Sequence, residues 1–287
     1  MKIAAIDIGS NSVRLMLWAD GKTLYKKLCT TRLGEGLSGA PRLKKEACER
    51  TANAVAQFAR EAREKGAEKI YAFATAAVRS AENARYFLNL VKDKCGVEVD
   101  VVSGEKEARM GLAGALDSAD GGIIDVGGAS TEVTVRAGGK IIYSKSVNVG
   151  TVRILDAAGR NLRAIDNFVA GKVAEYGAAD FSAYKFYGVG GTASRLAAVK
   201  HGLKVYDKDI IHGTVLTRDE VRGFAERLTA LSPEEIRAAT LLTNSADLIG
   251  GGAALLSAVM QNFNIPAVTV SESDNLEGYV LLRENEE

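Results

Sequence analysis

Asp7 and Asp125 each close an apolar run. Each is followed by a turn of small residues with a serine five positions on: DIGSNS (7–12) and DVGGAS (125–130). The longer stretches around them, AAIDIGSNSVRLML (4–17) and GIIDVGGASTEVTV (122–135), repeat one pattern 118 residues apart. Such a turn leaves several backbone N–H groups unpaired, and glycine lets the backbone come close to a ligand. Consecutive amides of this sort make a nest for an anion, with the hydroxyls of Ser10, Ser12 and Ser130 as further donors. The aspartate at the strand end stands where it can hold a hydrated Mg²⁺, which takes one or two protein carboxylates and keeps its waters. One loop alone reads equally well as an ordinary Gly/Ser hairpin with a solvated Asp. Two at matching places point to a phosphate held between them.

Four further features could do chemistry beside such a phosphate. Glu132 opens the strand after the second loop, so a hairpin folds it back toward Asp125 and the two carboxylates can share a cation; otherwise it is an exposed strand residue. Glu107, in SGEKEAR (103–109), is followed four and seven positions later by Gly111 and Gly114. That flank of a helix is bare, and a carboxylate in the resulting crevice can take a proton from water as a general base. Glu105 and Arg109, an i,i+4 pair, show the commoner fate of a helical Glu. Arg79, at the end of ATAAVR (74–79), carries a fork of donors suited to phosphate oxygens. Gly190 and Gly191, in GVGGTASRLAA (188–198), form a third strand-to-helix turn whose helix N-terminus can face an anion; a plain tight turn fits as well.

The elements that would position these residues are legible from periodicity. KIAAID reads as a strand buried on both faces. VRLMLWAD and GKTLYKKLCTTRL read as a hairpin about Asp20-Gly21. Over 42–65 the period becomes helical, with Leu43, Ala47, Ala54, Phe58 and Ala62 on one face and Gly66 as the stop. A strand (KIYAFAT), a helix around 80–93, a strand (VEVDVV) and a helix N-capped by Ser103 follow. The polar cluster DSADGG (117–122) is a natural boundary, giving domains 1–117 and 118–287. Beyond it the order restarts with three strands, turning at Gly138-Gly139. Then come the strand and turn YKFYGVGG, helices near 191–201, 217–230, 232–242 and 247–263, the strand AVTVS, and a terminal helix from Asn275 that can pack back on the first domain. The pattern βββαβαβα is thus written twice, an α/β fold duplicated at the level of whole domains.

Composition narrows the class. Hydrophobic residues make up 47% and charged residues 25% of 287, as in a globular protein, and the formal net charge is +1. That balance gives no support to bulk nucleic-acid binding or to a basic membrane surface. No apolar run approaches a membrane span, and the N-terminus lacks the features of a signal peptide. Three scattered cysteines, Cys29, Cys48 and Cys95, suit reduced thiols in the cytoplasm. Two histidines without neighbouring ligands argue against zinc. A homodimer is a common assembly for such chains, and no interface is legible.

Together, AAIDIGSNSVRLML, RLGEGL (32–37), ATAAVR, SGEKEAR, DVGGASTE and GVGGTASRLAA resemble the exopolyphosphatase and guanosine pentaphosphate phosphohydrolase (Ppx/GppA) family, in that family's order and across nearly the whole chain. The resemblance implies two ribonuclease-H-like domains of the actin, Hsp70 and sugar-kinase type, with the repeated loops facing each other across a cleft. It implies Mg²⁺-dependent hydrolysis of a terminal phosphate, from polyphosphate or from guanosine pentaphosphate. By position, Glu107 matches the catalytic base. Asp125 and Glu132 match carboxylates near the metal and the attacking water, with Asp7 helping through water. Asn11, Ser12, Gly127, Gly128, Ala129 and Ser130 match phosphate-loop positions, and Arg79 an arginine that grips the substrate's phosphates.

The chain departs from the family pattern in places. Ala129 stands where a third glycine is usual, and alanine is strained there if the position needs φ > 0. Leu276 stands before Glu277-Gly278 in place of an arginine, and LTNSADLIGGG (242–252) lacks an arginine before its Ala-Asp. The C-terminal helical region of longer members is missing, so extended polyphosphate should bind more weakly. Hydrolysis of polyphosphate is the expected activity. Hydrolysis of guanosine pentaphosphate, an ATP-dependent kinase of the same fold, and a non-catalytic sensor of polyphosphate or guanosine tetraphosphate are the alternatives.

Overall fold

Strands β1 (Ile3–Ile8), β2 (Ser12–Ala19) and β3 (Lys22–Thr30) form an antiparallel meander, and β1 then pairs in parallel with β4 (Lys69–Ala74). These elements come from a computed structural model that describes residues 1–37, 40–116, 119–240 and 245–284. Every residue of β1 is buried, as its near-continuous apolar run requires. The edge strand β3 is mostly exposed and carries three lysines, a common guard against edge-to-edge pairing. Its hairpin turns on Asp20 and Gly21, both at positive φ, the two-residue geometry that matches strand twist.

The first half is completed by α1 (Lys45–Glu64), α2 (Ala76–Arg79), α3 (Ala84–Cys95), β5 (Val99–Val101) and α4 (Gly104–Leu116). Leu43, just before α1, is buried with Ala47, Ala54, Phe58 and Ala62, and the chain leaves the helix at Gly66. Ser103 caps α4 by accepting from the Lys106 amide at 3.2 Å.

The second half follows: β6 (Gly121–Val126), β7 (Thr131–Ala137), β8 (Lys140–Val147), α5 (Thr151–Ala158), α6 (Leu162–Val173), β9 (Phe186–Val189) and α7 (Gly190–Lys200). After these come α8 (Lys208–Ile211), β10 (Val215–Thr217), α9 (Arg218–Ala230), α10 (Pro233–Ala239), α11 (Ile249–Asn262), β11 (Ala267–Val270) and α12 (Asn275–Glu284). The strand orders β3-β2-β1-β4-β5 and β8-β7-β6-β9-β11 are the same, with β10 added antiparallel beside β11. Two ribonuclease-H-like halves result, the expected α/β duplication.

Several elements escaped the periodicity. α2 turns the ATAAVR segment into one helical turn, so Arg79 leaves a helix and not a strand. α5 and α6 occupy a region to which no element was assigned. α6 does carry a helical signature: Asn161 accepts from the Ala164 amide at 3.0 Å, and Ile165, Val169 and Val173 are buried four apart. α8 and β10 are too short to register as patterns, and β10 exists because β11 offers it an edge. Residues 117–118 of the boundary cluster and 241–242 of the expected 232–242 helix lie outside the described residues.

Helix α4 is wedged between the sheets. Met110 joins Ile3, Ala5, Met16, Trp18 and Phe73 of the first sheet, while Leu112 and Leu116 join Ile123 and Val189 of the second. Helix α12 lies against α4 and the first sheet through Leu276, Tyr279 and Val280. Their crossing is close: a Cβ on Gly278 would stand 1.7 Å from the Met110 carbonyl, and one on Gly114 2.1 Å from that of Asp274. The bare flank of α4 is therefore filled by the chain itself, and this crossing sets where Glu107, Asp274 and Asn275 stand.

Candidate active site

The two small-residue loops meet. A Cβ on Gly128 would lie 2.9 Å from the Ser10 Cβ and 3.2 Å from the Asn11 amide nitrogen, so only a bare backbone fits at that seam. Each loop closes with the same hydrogen bond, Gly9 amide to Ser12 carbonyl and Gly127 amide to Ser130 carbonyl, both at 3.0 Å. Each is also tied back by its carbonyls. The amides of Gly34, Thr31 and Arg32 hold Ser10 and Asn11; those of Thr151 and Val152, at the start of α5, hold Gly127 and Gly128. Arg153 Nε holds the Ala129 carbonyl at 2.8 Å. With the carbonyls committed, the amides of Ser10, Asn11, Gly128 and Ala129 have no acceptor among the described residues. Unpaired amides on both sides of one seam are the arrangement that an anion nest requires.

Around this seam runs a cleft of about 770 Å³ between the halves. Asp7, Ser10, Asn11, Ser12, Glu107, Asp125, Gly127, Gly128, Ala129, Ser130, Glu132, Gly190 and Gly191 all line it. Arg79 stands behind Glu107 and does not line the cleft directly. Its Nη1 donates to Glu107 Oε2 at 2.8 Å and to the Val102 carbonyl at 3.0 Å, because the turn of α2 aims it at the flank of α4. Glu107 is 5% exposed. Burial pushes its carboxyl up, against the pull of Arg79.

Asp125 and Glu132 are direct cross-strand partners on β6 and β7. Glu132 is buried, which removes the reading as an exposed strand residue, and Ser146 donates to its Oε1 at 2.6 Å. Burial and the neighbouring Glu107 and Asp125 push it well above the ordinary carboxylate range. Asp125 is pushed up to about 8 by burial, then by Asp274 and Glu107. Gly190 is required beside it, at φ +75° and with a would-be Cβ 2.6 Å from Asp125 Oδ1. Asp7 differs: Arg14 donates to its Oδ2 from Nε at 2.9 Å and bonds Asp274 as well. Asp7 Oδ1, buried, has no hydrogen-bond partner among the described residues.

This donor set fits Mg²⁺. Two facing carboxylates and one orphaned carboxylate oxygen suit an ion that keeps most of its waters and takes phosphate oxygens. Among the described residues, no cluster of three or more His, Cys, Asp or Glu is set to hold a metal by side chains alone.

Sequence reasoning missed two residues here. Asp274 pairs with Arg14, and Asn275 Nδ2 donates to Asp125 Oδ2 at 3.1 Å. Both arrive at the start of α12, Asp274 just before it and Asn275 as its first residue, and their polar pair ahead of LEGY was the available signal. Leu276, at the expected arginine position, is 1% exposed and packs in the apolar cluster under α12. Ser245 stands before Ala246-Asp247 and lines the cleft; residues 242–244 of that motif lie outside the described residues. Ala129 is not at positive φ, so the expected strain is absent.

A family model described as the Ppx/GppA phosphatase family matches residues 19–286. A bifunctional 3-dehydroquinate synthase/phosphatase of Fusobacterium nucleatum is 30% identical, over 97% of this chain and 46% of its own length. Exopolyphosphatase 2 of Mycobacterium tuberculosis is 28% identical over 98% of both. The crystal structure of an Aquifex aeolicus Ppx/GppA family member shares 27% identity over 99% of each chain, with a TM-score of 0.78. Among the described residues, no helix is long and apolar enough to cross a membrane.

Proposed function

Because this chain belongs to the Ppx/GppA phosphatase family, we propose that it hydrolyses the terminal phosphate of inorganic polyphosphate in a Mg²⁺-dependent reaction. The observation that carries this reading is the seam itself: two amide nests touching at a cleft ringed by the carboxylates of Glu107, Asp125 and Glu132. The terminal phosphate sits against the amides of Ser10, Asn11, Gly128 and Ala129, with the Ser12 and Ser130 hydroxyls beside them. These donors are fixed before substrate arrives, so little reorganisation is needed as charge shifts in the reaction. Glu107 takes the proton of the attacking water. Arg79 holds its Oε2, which leaves Oε1 for that proton and fixes the carboxylate's direction. Arg79 is thus a positioning residue. Asp125 and Glu132, with Asp7 through water, would hold Mg²⁺, which when bound neutralises phosphate charge. Gly190 keeps the start of α7 close to Asp125, and Gly191 leaves room beside it for the Arg195 guanidinium. Three cysteines without disulfides fit a reducing cytoplasm.

The test is phosphate release from medium-chain polyphosphate with Mg²⁺, beside Glu107→Gln and an EDTA control. Loss of a general base should lower turnover by about 10²- to 10⁴-fold while binding persists. Near-normal turnover by Glu107→Gln would remove Glu107 from the base role. Calorimetric binding with no release from polyphosphate or from guanosine pentaphosphate would make the protein a sensor.

A further inference from the structure

Five basic side chains line the cleft: Arg14, Lys26, Lys27, Arg195 and Lys208. Three are already neutralised. Arg14 is shared by Asp7 and Asp274, Lys26 pairs with Glu277 at 2.7 Å, and Lys27 pairs with Glu61 at 2.8 Å. Lys208 is exposed at the rim on α8. Arg195, on the second turn of α7, is partly buried, and among the described residues it has neither a hydrogen-bond nor an ion-pair partner. Glu272, on the same wall, does not serve it: Ser194 holds Oε1 and Tyr206 holds Oε2, each at 2.5 Å. A partly buried guanidinium without a counter-ion has lost some of its hydration, and an arriving anion offsets that loss.

Its place is specific. The guanidinium folds back over the first turn of α7, where a Cβ on Gly191 would stand 2.5 Å from its Nη1. The preceding Gly190 presses on Asp125. The first turn of α7 therefore lies against Asp125 of β6 on one side and under the unpaired fork of Arg195 on the other. A phosphate seated at the loop seam has its donors there, and the next phosphate of the same chain needs others.

We propose that Arg195 holds the phosphate adjoining the one that is cleaved, and so makes the site selective for linked phosphates over single ones. This rests on the phosphohydrolase reading. Arg suits the task because its planar fork meets two phosphate oxygens at once, which an ammonium does not.

Calorimetry tests it with two probes that are not turned over, methylenediphosphonate and orthophosphate, each with Mg²⁺. Arg195→Gln should weaken the diphosphonate about 10- to 100-fold, the range for a lost charge-assisted contact, and leave orthophosphate nearly unchanged. Arg195→Lys should fall between, and a circular-dichroism melt checks that both variants fold. With tripolyphosphate as substrate, KM should rise far more than kcat falls. Equal weakening of both probes would assign Arg195 to the cleaved phosphate, and an unchanged diphosphonate affinity would leave it no role; either overturns the proposal alone. A wild-type protein that binds neither probe overturns the phosphohydrolase reading with it.

Discussion

The hairpins β1–β2 and β6–β7 are one device with two chemistries. Their loops span equal lengths, close with the same 3.0 Å hydrogen bond, and their outer strand pairs carry a register shift at equivalent points, Leu17/Trp18 and Val135/Arg136. One cross-strand pair separates them. Asp7 faces Arg14, whereas Asp125 faces Glu132. In the first copy the charges cancel within the protein. In the second two carboxylates face each other, and burial with their mutual repulsion pushes both toward the protonated form unless a cation joins them. The backbone repeats one loop twice, and a single change of side-chain sign at the facing strand position sets the electrostatics of each copy.

The largest expected effect comes from making the same substitution in both copies. Asp125→Asn should lower phosphate release by about 10²-fold or more, since preorganised electrostatic groups at a reacting phosphate are worth that much. In the absence of Mg²⁺ it should raise the melting temperature, because it removes one of several crowded carboxylates that burial already disfavours. Asp7→Asn should do the reverse to stability. It leaves Arg14 with Asp274 alone, at a cost of up to about 3 kcal/mol for a weakened buried ion pair. Melting curves of the two variants in EDTA decide the matter. Shifts of the same sign would show that the two hairpins do not differ electrostatically as argued.

A smaller effect sharpens the comparison at the seam. Ser10 and Gly128 hold equivalent positions in the two loops and press on each other. One must be glycine because the other is not. Gly128→Ala should cost about 1–3 kcal/mol, the usual penalty of overpacking. Adding Ser10→Gly should restore much of that stability in a double-mutant cycle. Activity should not return with it, since the Ser10 hydroxyl lines the cleft. A cycle with no coupling in denaturant melts would mean that the loops do not touch in solution.

What was legible in the sequence was local. Turn residues, strand alternation and the Asp-to-Ser spacing are set by neighbours a few positions away, so both loops, the Asp20-Gly21 hairpin and the α1 face could be read directly. The rest depends on which segments cross. Arg79 reads as a free phosphate ligand until α2 aims it at Glu107. Gly111 and Gly114 read as room for a ligand until α12 fills it. Asp274 and Asn275 read only as the start of a terminal helix until the α4–α12 crossing delivers them to Arg14 and Asp125. Arg195 lies within GVGGTASRLAA, yet nothing in that motif singles it out. Its meaning lies in the absence of a partner, which is a property of the folded cleft.

The smallest expected effect concerns the one residue whose departure from the family pattern looked most costly. Were glycine needed at 129 for its backbone, Ala129→Gly would relieve strain and improve both stability and turnover. The position does not have positive φ, so there is no strain to relieve. The alanine side chain is 2% exposed, and only the carbonyl is tied down, by Arg153. Glycine would add freedom to the unfolded chain and remove a buried methyl. Ala129→Gly should therefore lose about 0.5–1 kcal/mol in urea unfolding and leave kcat/KM for polyphosphate within about twofold, a difference of less than half a kcal/mol in activation free energy. A gain in turnover from that single methyl would mean that the second loop takes another conformation around bound phosphate, and the equivalence of the two hairpins would then hold only before substrate binds.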